Sequence, residues 1–72
     1  MKHIKLKSEY LELQQLLKIE NFISFGGEAK YYLQENIVYV NNEQESRRGK
    51  KLYPGDIVKI GNEEFIIEWL KK

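Results

Sequence analysis

The stretch AKYYLQENIVYVNNEQE, residues 29–45, contains the change of period that decides the fold. Its first half places Ala29, Tyr32 and Leu33 at helical spacing, so one stripe of a helix is apolar. From Ile37 the repeat becomes two, as a strand requires, and Asn41-Asn42 offers a turn whose residues accept positive φ. A helix therefore ends near Asn36, and a hairpin follows it directly.

Upstream, Ser24 is the expected cap of this helix, and Glu28 falls in the first turn, where the helix dipole favours an anion. Gly26 and Gly27 share that turn, and each costs on the order of 1 kcal/mol relative to Ala, so close packing or a bound group should compensate. A first helix is predicted in EYLELQQLLKI, residues 9–19, with Tyr10, Leu13, Leu16 and Leu17 inward, Ser8 as cap and Asn21 as stop. Before it, KHIKLK alternates polar and apolar residues as a short strand, with Ile4 and Leu6 on one face.

Downstream, Pro54 presets φ and Gly55 supplies the next position of a type II turn. DIVKI is a strand, Gly61-Asn62 turns the chain, and EFIIEWL is the last strand. The element order predicts an α+β fold: two helices packed on one side of a small antiparallel sheet.

Seventy-two residues make one domain, 1–72, near the lower limit at which a core holds a fold without staples. Without cysteine there is no disulfide framework and no thiolate metal site. No apolar run approaches the ~20 residues of a membrane-spanning helix, and the start shows no signal-peptide pattern, so a cytoplasmic location is expected. Net charge is +1, from 12 Lys and Arg against 11 Asp and Glu, which excludes a blanket of positive charge and leaves room for a local patch. SRRGKK, residues 46–51, is such a patch: it carries +4, with Glu43, Glu45, Glu63, Glu64 and Glu68 outside it.

Catalytic constellations are scarce. The chain has one His and one Asp, and a triad would need His3 on a terminal strand and Asp56 beside a turn. His3 reads as an exposed strand residue and Asp56 as a turn residue that bonds backbone. Glu63 and Glu64 would point to opposite faces of a strand, which is wrong for a carboxylate dyad. Gly26-Gly27 is far short of a Walker loop or dinucleotide fingerprint. A non-enzyme with no cofactor and no small-molecule substrate is expected.

Two segments have a sharper use. Bare backbone at Gly26 and Gly27 presents N–H groups suited to phosphate, with Lys30 one turn on; the alternative is that the glycines permit close helix contact. For Arg47, Arg48, Lys50 and Lys51 the plain reading is a solvated turn. Against it, adjacent arginines offer a fork matched to phosphate and guanine edges, and Gly49 lets the loop bend so that the cations converge. The loop lies between strands, unlike the basic amphipathic helix of a membrane-surface protein. Five tyrosines and Trp69 supply stacking surfaces, though most of those at strand spacing are expected in the core. Nucleic-acid binding leads.

With GGEAK, VNN, RRGKKL and PGD in this order, the chain resembles the S-four RNA-binding domain, also called the αL RNA-binding motif, and within it the stand-alone bacterial YaaA/YbcJ-like members. The likeness runs from about Leu11 to Ile60, some 50 of 72 residues. It implies a helix pair with an RNA-facing surface, here Lys18, Gly26, Gly27 and Lys30, and a basic loop of Arg47, Arg48, Lys50 and Lys51. Asn41 matches the family's hairpin asparagine and is expected among the RNA-binding residues. It further implies a non-catalytic domain that binds structured RNA, above all ribosomal RNA or a ribosomal subunit during assembly; a monomer is expected. The chain departs from the pattern in three ways: Phe25 replaces the serine before Gly-Gly, Asn36 and Asn42 replace glycines, and the broader family's arginine near the second helix start is missing. The competing reading is a protein-interaction module that uses the acidic run at 63–68, with Phe65, Ile66 and Trp69, as an edge strand or partner face.

Overall fold

A computed structural model describes residues 1–70. Strand β1 is Lys2–Leu6, β2 Leu11–Glu12 and helix α1 Leu13–Ile19. A 3₁₀ turn at Gly26–Glu28 runs into helix α2, Ala29–Glu35. The strands β3 (Val38–Val40), β4 (Glu43–Gln44), β5 (Lys51–Leu52), β6 (Ile57–Ile60) and β7 (Glu63–Trp69) follow. Five strands form one sheet in the order β1-β7-β6-β3-β4, and β2 and β5 form a separate two-stranded ribbon.

The α+β expectation holds, with one difference in the sheet. β3, β4, β6 and β7 pair antiparallel, but β1 joins β7 in parallel, Lys2 opposite Phe65 through Leu6 opposite Trp69. The sheet is mixed because residues 7–62 act as one long crossover, which a parallel pair needs. β7 therefore sits inside the sheet, flanked by β1 and β6, and is not an edge strand, one of the two forms of the interaction-module reading.

Alternation in the strands puts Ile4, Leu6, Val38, Val40, Val58, Ile60, Phe65 and Ile67 on the buried face. Leu13, Leu16 and Leu17 from α1, and Ala29 and Leu33 from α2, close the core against them. Phe22 packs edge-on to Phe65 with ring centroids 6.2 Å apart. The aliphatic residues and Phe65 fill this single layer, so the expectation that most aromatics at strand spacing other than phenylalanine are core fails: none of the five tyrosines is buried, and Trp69 is exposed.

Turn chemistry fixes the register. Asn41 and Asn42 adopt φ 51 and 69, as a two-residue hairpin turn of the primed kind demands. Gly55 stands at φ 97, and the Asp56 amide donates to the Tyr53 carbonyl at 2.9 Å, closing the type II turn. Asn21 stops α1 at φ 63. Asn36 ends α2 without the left-handed conformation of a glycine stop: its φ is −128, and its side-chain amide donates to the Tyr32 carbonyl at 3.0 Å. Among the described residues, no helix is long and apolar enough to cross a membrane.

Candidate nucleic-acid interface

α1 starts later than its periodicity suggests, and the reason lies in the basic loop. Leu11 and Glu12 are drawn into β2, opposite Leu52 and Lys51 of β5. The first two amides of α1 then find acceptors in the loop: Leu13 donates to the Lys50 carbonyl at 2.8 Å and Gln14 to the Arg48 carbonyl at 2.9 Å. These helix-end amides have no partner inside the helix, so the loop acts as its cap. Ser8, expected to cap, instead donates its hydroxyl to the Tyr10 carbonyl.

This docking decides where the cations stand. The loop at 46–51 is a fixed strap over the start of α1, closed within itself by the Lys50 amide donating to the Arg47 carbonyl at 3.2 Å. Its side chains face two hollows. Arg48 and Ser46 line one together with Lys30, Leu33 and Gln34 of α2. Arg47, Gly49, Lys50 and Lys51 line the other together with Tyr53. Lys30 and Arg48, far apart in sequence, thus share one groove.

Arg47 is not equivalent to its neighbours. Its guanidinium grips Glu45 with two parallel bonds, Nε to Oε2 and Nη2 to Oε1, both 2.9 Å. The Ser46 and Arg47 amides also donate to Glu45 Oε2. The hydrogen bonds from the Arg47 side chain hold the Glu45 carboxyl down at about 2, far below the carboxylate range. The acid that sequence places outside the cluster therefore folds back and neutralises one of its four cations. Among the described residues, Lys18, Lys30, Arg48, Lys50 and Lys51 form no ion pair.

At the start of α2, the packing explanation for Gly26 and Gly27 fails. A Cβ on Gly26 would meet Gln14 Oε1 of α1 at 3.8 Å, and one on Gly27 would meet the Phe25 ring at 3.7 Å. Both are ordinary contacts, and neither glycine has positive φ. Ser24 does not cap through its hydroxyl. Instead Glu28 reaches back, and its Oε1 accepts the Ser24 and Phe25 amides at 2.8 and 3.1 Å. One anion position at this turn is thus filled by the chain's own carboxylate. Phe25, where the family pattern has serine, leaves its ring exposed beside Gly27.

Asn41 has a scaffold role. Its side chain donates to Asp56 Oδ1 and accepts the Ile57 amide, both at 2.9 Å, so it ties the hairpin turn to the Pro54-Gly55 turn. Asp56 completes the knot by accepting the Tyr53 amide at 2.7 Å, the backbone role expected of it. Lys18 is exposed in the last turn of α1. His3 lies on the far face of the sheet, its Nδ1 2.7 Å from Glu68 Oε1; Lys5 and then His3 hold that carboxyl below its ordinary value.

Two tyrosines that sequence reasoning does not tie to the loop, Tyr10 and Tyr53, flank it. Their ring centroids lie 5.9 Å apart beside the loop, and Lys51 Nζ sits 4.8 Å above the centre of Tyr10. The available signal was adjacency, since Tyr53 follows RRGKKL directly.

Comparison with known proteins agrees with the motif order and the fold. The S4 domain family matches residues 4–68. The chain is also similar to the probable ribosome maturation protein RlbA of Bacillus subtilis (strain 168), with 47% identity over 57 residues, 79% of this chain and 80% of that protein. The helix pair, the strapped basic loop and this match together establish that the chain belongs to the S4 domain family of RNA-binding domains.

Proposed function

We propose that this protein is a small, non-catalytic cytoplasmic factor that binds folded ribosomal RNA during subunit maturation. The observation that carries the proposal is the strap: two backbone bonds from α1 hold residues 46–51 so that Arg48 shares a groove with Lys30 of α2. The cations of two distant segments thereby form one surface whose spacing is fixed before RNA arrives. Phosphate is the natural partner of such a surface, because an A-form helix hides its major groove and offers backbone and 2′-hydroxyls. Recognition is then chiefly by shape.

Within that surface, Arg48, Lys30, Lys50 and Lys51 contact phosphate directly, and Lys18 extends the contact along α1. Arg47 contributes once Glu45 releases it. Gly26 and Gly27 let the RNA backbone approach the turn, since the fold itself makes no demand for glycine there. Asn41 supports the surface through the turn it holds. The similarity to a probable ribosome maturation protein directs the choice of RNA.

The test is sedimentation of the protein with ribosomal subunits at low and high salt, paired with cross-linking and sequencing of bound RNA. Co-sedimentation at low salt, release at high salt and recovery of ribosomal RNA are expected. Recovery of protein partners alone, with no RNA, refutes the proposal. The edge-strand form of the interaction-module alternative is lost, because β7 is interior and Phe65 fully buried.

A further inference from the structure

The hollow on the Tyr53 side of the strap differs from the groove on the α2 side. It is a cleft of about 520 Å³ lined by Arg47, Gly49, Lys50, Lys51 and Tyr53. That volume falls within the range of small-ligand sites, roughly 300–1,000 Å³.

One wall is a held aromatic ring. Tyr53 is 47% exposed, so its ring keeps open surface. Tyr10 packs against it at an interplanar angle of 52°, with Lys51 over the Tyr10 ring. Its backbone is pinned by Asp56, which accepts the Tyr53 amide and donates its own amide to the Tyr53 carbonyl. A ring fixed in this way stacks on a partner with little loss of freedom.

The lining also includes Gly49. It lacks positive φ, and an added Cβ would meet nothing within 4 Å. The fold therefore has no use for glycine at this point, whereas a ligand approaching the backbone closely does. The rim carries charge. With Arg47 engaged by Glu45, Lys50 and Lys51 are the lining cations without a carboxylate partner among the described residues.

An exposed ring, a stretch of bare backbone and two ammonium groups match the parts of a nucleotide: a base to stack and a phosphate to neutralise. A base inside a duplex presents no free face, so the ligand must be unstacked, as in a bulge, a loop or an end. We propose that this cleft receives one unpaired nucleotide of the bound RNA, its base on Tyr53 and its phosphate at Lys50 and Lys51. The proposal rests on the RNA-binding function above and adds to it a site that reads local RNA structure.

Two hairpin RNAs test it, identical except that one carries a single bulged 2-aminopurine and the other is fully paired. The full chain is expected to bind the bulged RNA at least about fivefold more tightly, with quenching of 2-aminopurine emission, given the strength of base–aromatic stacking. Tyr53→Ala should lower affinity for the bulged RNA by about 5- to 150-fold and leave the paired RNA unaffected. Tyr53→Phe keeps the ring and should retain the preference. Gly49→Val adds bulk to the cleft lining where the fold has room, and should reproduce the loss without disturbing the Tyr10–Tyr53 pair. That variant keeps the test decisive if Tyr53→Ala fails to fold. Equal binding of both RNAs by the wild type, or wild-type affinity for the bulged RNA in folded Tyr53→Ala and Gly49→Val, overturns the nucleotide cleft and leaves RNA binding intact. Failure of the wild type to bind either RNA at low salt overturns both proposals.

Discussion

Replacing Asn41 by Ala separates scaffold from contact more sharply than any other single change. The substitution removes two side-chain hydrogen bonds, to Asp56 Oδ1 and from the Ile57 amide. Each bond of this kind is worth about 1 kcal/mol net, and toward the lower end here because the groups are exposed and water replaces the partner. It also leaves Ala at φ 51, a left-handed position that costs a Cβ-bearing residue about 1 kcal/mol or more and that Asn tolerates. The sum is about 2–3 kcal/mol. In a chain of 72 residues that lowers the melting temperature by roughly 10–20 °C. Asn41→Gly removes the strain but not the lost bonds, so its loss should be smaller. Thermal melts followed by circular dichroism read the series, with RNA affinity measured well below each midpoint. Affinity of the folded variants should match the wild type. An Asn41→Ala melt within about 2 °C of wild type, or a large affinity loss in a fully folded variant, would refute the scaffold assignment.

Glu45→Gln tests the clamp on Arg47. The folded carboxyl titrates near 2, below its ordinary 4.5, so its contribution is complete above pH 4.5 and is lost as pH falls through about 2. Arg47 is well exposed and the pair is screened, so that contribution should not exceed about 1 kcal/mol. Urea unfolding should show the gap between wild type and Glu45→Gln at pH 7 and its closure toward pH 2. The same variant frees Arg47 and should steepen the dependence of RNA affinity on salt by up to about one phosphate contact, 0.7–0.9 in slope. Gly26→Ala and Gly27→Ala should leave stability unchanged or raise it by up to about 1 kcal/mol, because the space and φ are permissive. Weakened RNA binding in those stable variants is expected, and unchanged binding would remove the glycine turn from the interface.

Most of the architecture was legible because local chemistry and tertiary structure agree. The Ala29–Leu33 stripe, the Asn41-Asn42 turn and the Pro54-Gly55 turn each carry a conformational requirement that few residues satisfy, and each appears where the sequence places it. What escaped was set by distant pairing. The two-residue ribbon of β2 with β5 takes Leu11 and Glu12 out of the helical pattern, and nothing near residue 11 announces Leu52. The parallel partnership of β1 with β7 joins the two ends of the chain, which local periodicity cannot encode.

The candidate site divides in the same way. Its residue types were visible, as was the ordered motif set, but their states were not. Arg47 counts as a cation in sequence and is half of an ion pair in the fold. Asn41 resembles a contact residue and spends its amide on Asp56 and Ile57. Tyr53 resembles a core residue and stands half exposed at the rim of the basic loop. Each outcome depends on a neighbour brought in by the fold, through geometry that a linear reading cannot supply.

The most direct test of the cationic face is the salt dependence of binding to a structured ribosomal RNA fragment, compared between wild type and Lys30→Ala/Arg48→Ala/Lys50→Ala/Lys51→Ala. Four phosphate contacts at 0.7–0.9 each should lower the slope of log affinity against log salt by about 3. The affinity at low salt should fall steeply and the melting temperature should hold. A folded quadruple variant with wild-type affinity and an unchanged slope would show that the RNA is held elsewhere.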